Sequence, residues 1–85
     1  MHERFNLKPY LAKAQTELQE RSIKDIQIET ALIWAARACV AQRANKQVDA
    51  VEYAHESIEH AALSGDSMLL DYVRNCLRHC KVRGI

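Results

Sequence analysis

The densest concentration of residues able to do chemistry is the run Glu52-Tyr53-Ala54-His55-Glu56-Ser57-Ile58-Glu59-His60. On a helix, Glu52, His55 and Glu59 share one face at i, i+3 and i+7, and Glu56 and His60 pair at i, i+4 on the next face. Glu52 and His55 have the Glu-x-x-His spacing of carboxylate-bridged di-metal bundles, in which carboxylates bridge two ions and an imidazole terminates each. Such a centre takes two of these motifs and two further glutamates. This chain supplies one motif and Glu29, so a two-fold axis would be needed to assemble four glutamates and two histidines. A metal centre would therefore use Glu29, Glu52, His55 and Glu59, hold a divalent cation and sit at a subunit interface. The simpler expectation carries more weight and needs no cofactor: His55 is a core-edge histidine bonded to Glu52 or Glu59, and Glu56 and His60 form a surface pair.

The second candidate is Arg37. It interrupts the most apolar stretch of the chain, Ala31-Leu32-Ile33-Trp34-Ala35-Ala36-Arg37-Ala38-Cys39-Val40-Ala41. A buried guanidinium must be paired, because an unpaired buried charge costs several kcal/mol (about 3–5). Glu29, Glu52, Glu56 and Glu59 are the available carboxylates. In an alternative reading Arg37 holds a small anionic ligand such as a nucleotide. Trp34 brings the largest contact area of any side chain here. Arg37, Trp34, Glu56 and His60 are accordingly the residues expected to meet a partner. Cys39, Cys76 and Cys80 form no finger-like set with His79, and their odd number suggests buried thiols in a reducing compartment. Arg74, Arg78, His79, Lys81 and Arg83 crowd the end of the chain, where positive charge complements a helix dipole. With a formal net charge of only +1, nucleic acid is not an expected partner.

The elements that must position these groups are helical. Two glycines and one proline leave few places to turn, and alanine is abundant while β-branched and aromatic residues are sparse. After a leader over 1–8, Pro9 suits a first helical turn, and Tyr10, Leu11, Ala14 and Leu18 make an amphipathic stretch. The apolar phase slips between Leu18 and Ile23, and Ser22 with Asp25 resembles a capping box, so a break is expected near Arg21-Ser22, with one long helix running straight through as the alternative. The central helix then spans about 23–43. One of its stripes is Ile23, Ile26, Thr30, Ile33, Arg37 and Val40, a second is Ile28, Leu32, Ala35 and Cys39, and a third is Trp34 with Ala31, Ala38 and Ala41. Asn45 suits a turn. The next helix covers about 48–63, with Val48, Val51, His55, Ile58 and Ala62 inward and Ala54 and Ala61 beside them. Gly65 ends it, and Asp66 or Ser67 caps the last helix, about 68–80, which turns Leu69, Leu70, Val73, Cys76, Leu77 and Cys80 inward. A tail follows over 82–85.

Eighty-five residues make one domain, all-α, expected as a small antiparallel bundle of three to four helices around the central apolar helix. A core this small is marginal alone, so self-association is expected. No signal-peptide pattern or membrane-spanning stretch is visible, which makes the cytoplasm the default location. At Trp34-Ala35-Ala36-Arg37-Ala38 and Glu52-Tyr53…His55-Glu56…Glu59-His60-Ala61-Ala62 the chain resembles small helical accessory proteins encoded by phages and prophages, over about residues 22–64. That resemblance implies a protein that binds and blocks a host factor, including one of a defence system. No catalytic set is present. The expected function is a non-enzymatic helical binding protein that associates with itself and with another protein. The alternatives are the metal-binding bundle and the anion binder.

Overall fold

The computed structural model describes residues 8–85, and every regular element among them is helical. Residues 1–7 of the expected leader lie outside the described residues, and Lys8 already belongs to a helix. That helix, α1, runs unbroken from Lys8 to Arg43. At 1.5 Å per residue it is about 54 Å long. The break expected at Arg21-Ser22 is absent. No glycine or proline lies between Pro9 and Asn45, so nothing in the backbone forces the chain out of the helix. A shift in side-chain phase alone does not end a hydrogen-bonded ladder. Thr16 accommodates itself by donating its hydroxyl to the Ala12 carbonyl at 3.0 Å.

Asn45 ends α1 as its residue type suggests. It takes the left-handed conformation (φ 62°), its amide donates to the Gln42 carbonyl, and the Lys46 amide reaches back to Ala41 at 2.9 Å. This pair of bonds satisfies the last carbonyls of the helix. Helix α2 spans Gln47–Leu63, and Gly65 (φ 74°) opens the next turn. Asp66 then caps α3, Ser67–His79, accepting from the Met68 and Leu69 amides at 3.0 and 3.2 Å. The end of α3 repeats the α1 device with Lys81 at φ 66°: the Val82 amide donates to Leu77 and the Lys81 amide to Arg78. Val82 is buried with Leu77, and Ile85 packs at the edge of the core. The expected tail 82–85 is thus a folded-back closure, held by the hydrophobic contact that accompanies this kind of cap.

Helix α2 packs along the second half of α1 through small residues. Ala31, Ala35, Ala38 and Ala41 on α1 and Ala50, Ala54, Ser57 and Ala61 on α2 are all buried. The Ser57 hydroxyl is buried and donates to the Ala31 carbonyl at 2.6 Å, one helix backbone bonded directly by the other's side chain. This corrects the expected inner face of the helix over 48–63. Val48 is 73% exposed, and His55 and Ala62 are exposed as well, while Val51 and Ile58 are half-buried. Alanine and serine let the two backbones come close, which returns more contact per residue than separating the helices to admit valines. Val73 and Leu77 of α3 close the base.

Two further expectations change. Cys39 and Cys80 are not separate buried thiols: they form a disulfide between α1 and the end of α3, with Cα atoms 5.6 Å apart. The cysteine count therefore gives no argument for a reducing compartment. The apolar run Ala31–Ala41 is not surrounded, either. Its alanines are covered, but Leu32, Ile33, Ala36, Arg37 and Val40 are exposed. From Lys8 to Ile26 every residue of α1 is exposed, so this half of the helix projects as an arm and the molecule measures 71 × 19 × 13 Å.

Two outcomes follow for stability. The disulfide closes a sequence separation of 41 residues, so reducing it, or replacing both Cys39 and Cys80 by serine, should cost about 3–4 kcal/mol through loop-closure entropy, read as a lower urea midpoint. Ala54→Leu should destabilise the chain by about 1–3 kcal/mol in the same assay, because the seam has no room for a larger side chain.

Candidate functional site

The residues singled out for chemistry separate into two groups in the fold. The first lies where α1 meets α2. Trp34 is half-buried and tilts at 40° against Tyr53 with ring centroids 5.3 Å apart. The Arg37 guanidinium sits over the Trp34 ring at 4.9 Å. Arg37 is exposed and makes no ion pair among the described residues. The expected buried salt bridge to Glu29, Glu52, Glu56 or Glu59 is therefore replaced by an aromatic stack. The reason is rotational: Arg37 lies on the part of α1 that α2 leaves uncovered, so solvent solvates the charge and the indole face supplies a modest attraction.

Glu56 and His60 do pair, with Nε2 to Oε2 at 3.7 Å, and the other ring nitrogen of His60 shares a hydrogen bond with the Gln27 side chain at 2.5 Å. His60 thereby ties α2 to α1, a link that sequence spacing does not reveal because Gln27 is 33 residues away. His55 is exposed and bonded to neither Glu52 nor Glu59. Glu52, His55 and Glu56 border a shallow depression beside Trp34 and Tyr53, and Glu29 and Glu59 are exposed on their own helices. Among the described residues no three His, Cys, Asp or Glu side chains are placed to hold a metal ion. A groove between α1 and α3 is lined by Leu32, Ala36, Cys39, Tyr72, Cys76 and Cys80. Cys76 is the free thiol, and its hydrogen bond with Tyr72 holds that phenol above its ordinary range. Of the basic C-terminal group, Arg78 turns its Nε towards the Ile85 carbonyl at 3.4 Å.

The exposed surface of α1 carries a further feature, made of residues that do no chemistry. Leu11, Leu18, Ile26, Ile33 and Val40 are exposed by 58, 61, 59, 48 and 65%. At roughly 100° per residue they fall within an arc of about 80° on α1, opposite the arc of Ala31, Ala35, Ala38 and Ala41. Helix α1 therefore has two apolar faces, one covered by α2 and α3 and one open along the whole helix. The signal was present in the sequence as the first of three stripes, but nothing in the sequence said which stripe the other helices would cover.

No family model, no curated protein and no solved structure matches the chain. Among the described residues no helix is long and apolar enough to cross a membrane.

The placement of Arg37 has a measurable consequence. Arg37→Ala should lower stability by less than about 1 kcal/mol, the size of an exposed cation–π contact, and should change the fluorescence of Trp34, the one tryptophan. A buried ion pair would instead lose several kcal/mol (about 3–5) on the same change.

Proposed function

We propose that this chain is a non-enzymatic binding protein that works through protein–protein contact on the open face of α1, and that it associates with itself there. The observation that supports this reading is the exposed stripe Leu11, Leu18, Ile26, Ile33 and Val40. Scattered apolar residues on a surface need no explanation, but apolar residues recurring every seven or eight positions along one arc of a helix, here with Gln15, Ser22 and Glu29 between them, are the pattern by which helices recognise one another. The face is also costly to leave in water. Covering it would surround the run Ala31–Ala41 on all sides and complete, between chains, the bundle around a central apolar helix that one chain leaves half built. Every residue of the arm from Pro9 to Ser22 is exposed, and isolated helices of that length are marginal in water.

The resemblance to phage accessory proteins adds a direction to the proposal: the partner beyond the chain itself is a host protein held and blocked by an exposed helix face. Trp34, Arg37, Glu56 and His60 border this surface or the adjoining α1–α2 junction, and Trp34 with Arg37 would anchor its edge.

Sedimentation of the full chain at micromolar concentration should show a dimer or larger species. Ile33→Asp should convert it to a monomer while far-UV circular dichroism retains the helices, since Ile33 is 48% exposed and lies outside the buried core. A wild-type chain that sediments as a monomer at tens of micromolar would remove the reading.

A further inference from the structure

The distribution of charge along the open face of α1 points to its occupant: a second copy of this chain, laid antiparallel over residues 26–43. This rests on the reading of α1 as the interaction surface and adds partner, direction and register to it. Beside the stripe Ile26, Ile33 and Val40, the acidic residues Asp25 and Glu29 lie near the middle of the helix and Arg43 at its end. At roughly 100° per residue all three are on the same flank of the stripe, with Arg37 on the other. All are exposed, and Asp25, Glu29 and Arg43 make no ion pair among the described residues.

Two-fold symmetry then decides between directions. In a parallel pair in register, opposite flanks face each other, so Arg43, Asp25 and Glu29 face the flank that carries Arg37, and Arg43 stays far from the acidic pair. In an antiparallel pair the same flank of each helix faces the other. Setting Ile33 of one copy against Ala36 of the other brings each Arg43 level with the second copy's Asp25 and Glu29, on that shared flank. Ala36 is small and exposed, and it leaves a hollow between Ile33 and Val40 into which the isoleucine of the second copy fits as a knob. The arrangement thus satisfies the apolar stripe and both charge clusters at once. A longer antiparallel overlap, with Leu11 against Val40 and Leu18 against Ile33, also matches the apolar residues. It sets Asp25 level with its own counterpart and leaves Arg43 far from the second copy's Asp25 and Glu29, so that the two charge clusters are not joined. Leu11 and Leu18 remain outside the paired segment, on the arm.

The test is charge reversal in the full chain, read as the dimer dissociation constant by sedimentation equilibrium. Arg43→Glu alone and Asp25→Lys with Glu29→Lys should each weaken the dimer by about tenfold or more, because each places like charges on the shared flank. Combining all three substitutions should restore the wild-type constant to within about threefold. Leu18→Asp should leave it unchanged. Reversals without effect, reversals that the combination does not rescue, or loss of the dimer with Leu18→Asp would each overturn the antiparallel register. If Ile33→Asp still dissociates the protein in those cases, the open face of α1 remains the interaction surface and only the register fails. If Ile33→Asp leaves the assembly intact, the surface assignment fails with it.

Discussion

The contact on which the rest of this structure depends is the small-residue seam between α1 and α2. Ala31, Ala35 and Ala38 meet Ala50, Ala54, Ser57 and Ala61, and the Ser57 hydroxyl bonds the Ala31 carbonyl across it. Close approach of two backbones makes many weak contacts per residue and leaves no gap for water. It also has a consequence for everything larger. Once the alanine faces are turned inward, the isoleucines, leucines and valines of α1 must point away. The seam that holds the hairpin together is therefore also what exposes the stripe proposed as the interaction surface.

The third helix and the chain end serve the hairpin. Val73, Leu77 and Val82 close one end of the seam, and the Cys39–Cys80 disulfide fastens α3 to α1. These elements all sit on the second half of α1. The first half receives no such support, so the molecule is a compact hairpin with a long arm. A core built mostly of alanine buries little apolar area per residue. Crosslinking and association are the two ways a chain of this size compensates, and this one has the first in hand.

Arg37 shows how one rotation changes a functional reading. Read as buried, it demands a carboxylate or an anionic ligand. Exposed and stacked on Trp34, it demands neither, and it becomes part of an aromatic edge beside an apolar stripe. The same rotation places Glu29 on the open face instead of against Glu52 and His55. Glu56 and His60 are less affected, because their spacing of four residues on one helix pairs them wherever that helix faces.

The sequence by itself determined the helical class, the turns at Asn45 and Gly65, a cap at Asp66 or Ser67, the limits of the last two helices to within one residue, and the inward residues of α3. These are local matters of backbone conformation and capping, decided by one or a few adjacent residues. Tertiary structure alone decided which face of α1 is covered, that Cys39 reaches Cys80, and that Gln27 meets His60. Helix α1 has apolar residues on two opposite faces, and periodicity ranks them by bulk, which favours isoleucine and leucine. Packing ranked them by how closely two backbones could approach, and on that measure alanine wins.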